Sequence, residues 1–114
     1  MINNNYLRLI SKLIDATKEN RVSWRESTRD NEFVAEISDY SVAVLYNPKS
    51  LFTIDLDRTA ICVISILNEE GVMIDSCSFT SGEEGYDSAV ALYNEAKRSF
   101  YRVDDVLKEL TDSL

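Results

Sequence analysis

The sequence predicts a two-layer α+β domain: a five- to six-stranded antiparallel meander sheet with the N-terminal and C-terminal helices packed on one face. Three observations carry that reading. Apolar residues recur at steps of three and four at both ends of the chain, which gathers them on one side of a helix. Through the middle the period falls to two, as a half-buried strand requires. The connections between the middle segments are short, and antiparallel neighbours need no crossover. The 114 residues, 1–114, fit one domain with a core of its own.

Residues 5–20 read as the first helix. Tyr6, Leu9, Ile10, Leu13, Ile14 and Thr17 form its apolar stripe, Asn3 to Asn5 offer N-cap oxygens, and Asn20 can end it in a left-handed conformation. Val22 and Trp24 belong to a short, polar strand. After a turn at Arg29–Asn31, Phe33, Ala35 and Ile37 alternate with Glu32, Val34 and Glu36. Ser38-Asp39 leads tightly into Tyr40–Tyr46, apolar on both faces and so a central strand. Asn47-Pro48-Lys49-Ser50 is a turn. Leu51–Leu56, Ala60–Leu67 and Val72–Phe79 are read as strands, the last two a hairpin across Asn68-Glu69-Glu70-Gly71. Thr80–Tyr86 is a polar loop. From Asp87 the helical period returns through Ala89, Leu92, Ala96, Phe100, Val103, Leu107, Leu110 and Leu114, as one bent helix or as two with a new cap at Asp104.

In that hairpin, Cys62, Ile64 and Ile66 share one side and Ile61, Val63 and Leu67 the other. Only one side can lie under the helices. The other needs sheet curvature, a loop or a second copy to cover it, and we expect a homodimer through Ile61, Val63, Leu67 and Ile74. Register decides where the two cysteines point. If Leu67 pairs with Val72, Cys62 faces Cys77. If Asn68 pairs with Val72 around a left-handed Gly71, the thiols lie on opposite faces and Ser65 meets Asp75. Asn68 and Gly71 favour the second register, and the thiols are expected to be reduced core residues.

Charge is the most informative total. The net charge is −8, yet residues 1–58 carry nine acids against eight bases and residues 97–114 four of each. Between Thr59 and Ala96 stand Glu69, Glu70, Asp75, Glu83, Glu84, Asp87 and Glu95, with no lysine or arginine. Such a field repels phosphate backbones and disfavours nucleic acid. It either keeps the protein soluble or attracts a basic protein partner, through Glu69, Glu70, Glu83, Glu84 and Asp87, with Trp24 beside Arg25 as a contact anchor or packed against the first helix. No signal peptide or membrane span is read, so the expected setting is cytoplasmic.

Little in the chain resembles reaction chemistry. With no histidine, a Ser–His–Asp or Cys–His nucleophile is impossible, and two cysteines alone make a poor zinc site. Three glycines at 71, 82 and 85 form neither a Walker loop nor a dinucleotide fingerprint. The expectation is therefore no enzyme, no catalytic residue, no cofactor and no metal. One stretch departs from this pattern. Leu51-Phe52-Thr53-Ile54-Asp55-Leu56-Asp57-Arg58-Thr59 resembles the first motif of haloacid dehalogenase-type phosphotransferases. That resemblance implies Asp55 as nucleophile, Asp57 as general acid and a magnesium ion, hence a metal-dependent phosphatase. Its setting between antiparallel strands and the short chain weigh against it, and a solvated turn is the alternative.

A second resemblance covers most of the chain. Trp24, Phe33-x-Ala35-x-Ile37, Tyr40-x-Val42, Leu92-Tyr93-x-x-Ala96-x-Arg98 and Val103-Asp104-x-Val106-Leu107 are similar to a class of small bacterial accessory proteins often encoded on mobile elements. These are packing motifs, so the resemblance implies a fold and a bacterial setting, with no activity attached. Together these observations lead us to expect a small acidic binding protein, immunity- or inhibitor-like; the alternative is a homodimeric structural or regulatory domain.

Overall fold

In the computed structural model, which describes residues 4–48 and 60–114, the chain begins with α1 (Asn4–Lys18). Its buried side chains, Tyr6, Ile10, Leu13, Ala16 and Thr17, keep to one stripe. Asn20 closes the helix as expected, with φ at 60° and the Arg21 N–H returning to the Ala16 carbonyl at 2.8 Å. The strands are β1 (Trp24–Glu26), β2 (Glu32–Ile37), β3 (Tyr40–Asn47), β4 (Ile61–Leu67) and β5 (Met73–Thr80). They lie side by side in chain order, each antiparallel to the next. The expected strand Leu51–Leu56 and the Asp55, Asp57 and Thr59 motif lie outside the described residues, as does part of the Asn47–Ser50 turn.

Two helices follow, α2 (Tyr86–Tyr101) and α3 (Val103–Asp112). α1 and α2 pack together over one sheet face, and α2 reaches all five strands. Beneath them sit Trp24, Phe33, Ala35, Val42, Val44, Cys62, Ile64 and Phe79, which join Ile10, Leu13, Ala89, Leu92 and Ala96 in one core. Phe33 anchors an aromatic cluster in it, with ring centroids 5.6 Å from both Tyr93 and Phe100. This is the two-layer α+β architecture that the sequence predicts.

Two features differ from the sequence reading. The first is the β4–β5 register. Asn68 does pair with Val72, its N–H reaching the Val72 carbonyl at 2.9 Å, and Gly71 is left-handed at φ 82°. One residue later the ladder slips, so that Leu67 pairs with Met73 but Ile66 with Asp75, and Ile74 is the extra residue of a bulge. That slip restores the side-chain parity the turn had reversed. Cys62 now faces Phe79 and Cys77 faces Ile64, so both thiols lie on the helix-covered side as diagonal neighbours instead of on opposite faces. Ser65 faces Ser76, and Asp75 stands opposite Ile66. The acid is satisfied from another quarter, because the Tyr6 hydroxyl donates to its Oδ2 at 2.6 Å.

The second difference lies in the C-terminal stripe. Arg102 takes a left-handed conformation (φ 53°, ψ 49°) and divides the helix two residues before the expected cap at Asp104, with no side-chain cap. Only the first half of the stripe reaches the core: Ala89, Leu92 and Ala96 are fully buried, whereas α3 buries none of its residues. Trp24, for which the sequence offered a contact anchor or packing against the first helix, is 6% exposed. Its indole N–H donates to Thr17 Oγ1 at 3.0 Å, and that hydroxyl donates in turn to the Leu13 carbonyl at 2.6 Å. Packing against α1 therefore describes this residue, and 6% of its surface remains exposed.

Candidate protein-binding surface

The acids that crowd one third of the sequence are not one cluster in space. Glu69 and Glu70 occupy the turn before β5, and Glu83, Glu84 and Asp87 follow it. β5 is eight residues long, so the two groups stand roughly 25 Å apart at about 3.3 Å per residue. That exceeds the ~8 Å over which exposed charges influence one another at physiological ionic strength. The two groups therefore act separately.

The far group is partly committed to local structure. Glu83 accepts the Thr80 N–H at 3.1 Å, and Asp87 lies in the first turn of α2, where the helix dipole favours an anion. Gly85 begins that helix at φ 91°, pressed so closely on the core that a Cβ there would lie 2.7 Å from the Phe79 ring.

The near group gains neighbours that are distant in sequence. The β2–β3 turn, Ser38-Asp39, lies beside the β4–β5 turn, and Glu36, Asp39 and Glu69 line a groove of about 300 Å³ with Ser38, Tyr40, Ser41 and Asn68. No basic side chain lines it. Asn68 stiffens its rim by accepting the N–H groups of Glu70 and Val72, both at 3.0 Å. Beside the groove, Tyr40 is half exposed, and so are Val72, Met73 and Ile74, with Met73 at 59%. Apolar side chains so exposed, next to Glu36, Asp39, Glu69 and Glu70, have the layout of a protein contact: an apolar centre with a charged rim. Glu36, Asp39 and Tyr40 were not singled out from the sequence because the two turns are some 30 residues apart in the chain. The available signal was the meander itself, which brings alternate turns to the same end of a sheet.

The ion pairs among the described residues are Arg21–Glu19, Arg98–Asp104 and Arg102–Asp105. None of them draws on the acids between Ala60 and Ala96. A larger notch, of about 620 Å³, separates the end of α1 from α2 and α3. Its lining includes Lys18, Arg98 and Arg102 against Glu95, Asp104 and Asp105, so its charge balances internally.

The remaining candidates have quieter surroundings. On the sheet face away from the helices, Ile61, Val63 and Leu67 are half-buried, and Ile74 stands exposed at the bulge. Both cysteines are free. Burial pushes the Cys62 thiol up to about 12, and burial followed by the nearby Asp75 carboxylate raises Cys77. A thiol held protonated is a poor nucleophile and a poor metal ligand. Tyr6 is raised by burial and then by its bond to Asp75, and Tyr86 is pushed up to about 12, first by donating to the Tyr46 hydroxyl. Among the described residues, no group of three or more His, Cys, Asp or Glu is placed to hold a metal ion, and no helix is long and apolar enough to cross a membrane.

No family model, curated protein or solved structure matches this chain.

Proposed function

We propose that this chain is a small acidic binding protein, immunity- or inhibitor-like, that engages a basic protein partner through the turn end of its sheet. The observation that carries this reading is the groove lined by Glu36, Asp39 and Glu69 with no base, next to exposed Tyr40, Val72, Met73 and Ile74. A partner fitting it presents lysine or arginine around an apolar patch. Tyrosine is among the residues that most often dominate such contacts, because it buries a large rigid ring while keeping a polar tip. The acids steer the encounter, and the apolar centre slows dissociation.

The test is affinity capture with the immobilised protein at low salt, followed by identification of what is retained. A basic protein held by the wild type, released by salt and lost on D39K/E69K/E70K supports the reading. Retention of that protein unchanged by the triple reversal, or capture of no basic protein at all, overturns it. E83K/E84K serves as the charge-matched control at the other end of β5, and should retain most of the capture.

A further inference from the structure

α3 buries none of its residues, yet Val103, Val106, Leu107 and Leu110 line one side of it at three- and four-residue steps, with Leu114 continuing the line. Leu110 is 57% exposed, and Val106 and Leu107 are about half exposed. The helix is anchored at its root: Arg98 reaches Asp104 at 2.6 Å and Arg102 reaches Asp105 at 2.8 Å. Its direction is set by the left-handed Arg102, just after Tyr101, which donates to Glu26 on the edge strand β1 at 2.7 Å. An isolated helix of ten residues is marginal in water, so a stripe of this kind gains stability from being covered.

Charge selects what covers it. α3 carries Lys108 alone against Asp104, Asp105, Glu109 and Asp112, whereas helices that lie on anionic membranes are rich in Lys and Arg. Two copies of a chain of net charge −8 repel each other, and they can approach most closely where charge is balanced. Residues 97–114, with four bases and four acids, balance as a whole: α3 itself is net −3, and Arg98 and Arg102 at its root offset Asp104 and Asp105. A two-fold axis also brings the same flank of each helix together. Next to the stripe, one flank of α3 carries Asp104 and Lys108, four residues apart. Antiparallel pairing centred near Val106 and Leu107 sets each Asp104, already held by Arg98 of its own chain, beside Lys108 of the second copy, twice over.

We propose that α3 is a self-association element, and that two copies of this chain pair their α3 stripes antiparallel across a two-fold axis. With Tyr101 the stripe exposes on the order of 500 Å² per copy, somewhat less than the ~800 Å² per partner of a standard interface, so the dimer is weak and concentration-dependent. The proposal does not rest on the basic partner: it uses a different surface, beyond the β1 edge, and leaves the turn end of the sheet free.

Sedimentation equilibrium over a wide concentration range tests it. The wild type should pass from monomer to dimer with a micromolar dissociation constant, and L107K/L110K should remain monomeric throughout. Its fold should be intact by circular dichroism, since neither side chain is buried. K108E should weaken the dimer several-fold, and V63K, on the open sheet face, should leave it unchanged. A wild type that is monomeric at every concentration overturns the proposal, as does a dimer that survives L107K/L110K or is abolished by V63K. Co-sedimentation with phosphatidylcholine–phosphatidylglycerol vesicles that is lost in L107K/L110K would assign the stripe to a lipid surface and would equally overturn it.

Discussion

Replacing Thr17 with valine isolates the bond that fixes the only tryptophan. Threonine and valine have nearly the same shape and similar helix propensity, so T17V opens no cavity and leaves α1 formed. What changes is the acceptor. The Trp24 indole N–H, on a side chain 6% exposed, loses Thr17 Oγ1 at 3.0 Å. A buried donor left without a partner costs about 1–3 kcal/mol. The removed hydroxyl was itself buried and bonded, and its replacement by a methyl recovers a few tenths, so the expected net loss is about 1–2 kcal/mol. For a chain of this length that lowers Tm by roughly 4–8 °C. Urea unfolding followed by Trp24 fluorescence reads it directly. The double-mutant cycle with W24F, followed by circular dichroism because W24F removes the fluorophore, is the sharper form: removing both partners should cost about 1 kcal/mol less than the sum of the single changes. A T17V midpoint equal to the wild type, or strict additivity in the cycle, would refute the argument that this pair holds β1 to α1.

Other outcomes follow from the same packing. G85A places a methyl 2.7 Å from the buried Phe79 ring at φ 91°; it should cost about 2–4 kcal/mol. G82A, at φ 90° with nothing within 4 Å, should cost only about 1 kcal/mol, and equal losses for the two in chemical denaturation would contradict the packing described. Alkaline stability has a defined sign. The Cys62 thiol ionises at about 12 in the fold against an ordinary 9.0, so its contribution is complete below pH 9 and is lost as pH rises towards 12. The raised Tyr86 hydroxyl acts in the same direction. C62A should therefore flatten part of the decline in unfolding free energy between these limits, and a steeper decline would count against it. In the native protein, a thiol-specific reagent should modify Cys77 well before the fully buried Cys62.

Much of the fold was legible because its signals are local. The period of two, the Ser38-Asp39 turn and the Asn20 helix end each follow from adjacent residues, and the meander needs no long-range decision. The Asn68–Val72 pairing was legible for the same reason. The bulge at Ile74 was not: no residue type there marks an extra position, and one unpaired residue is enough to move Cys77 from one face to the other. The C-terminal stripe misled in a related way. Its spacing runs unbroken from Ala89 to Leu114, and only the left-handed Arg102, a residue type that seldom adopts that conformation, separates the part that packs from the part that projects. The acidic surface was half legible. Its sign and residues could be read directly, but β5 separates them into two groups, and the partners of Glu69 are Glu36 and Asp39, contributed by a different turn.

The most direct test of the account is the association rate between this chain and the basic protein it captures, measured as ionic strength rises. With the turn end as the docking surface, the wild-type rate should fall steeply with salt, D39K/E69K/E70K should flatten that dependence, and E83K/E84K should leave most of the slope in place. A rate insensitive to salt, or one flattened by the loop reversal and untouched by the turn reversal, would contradict it.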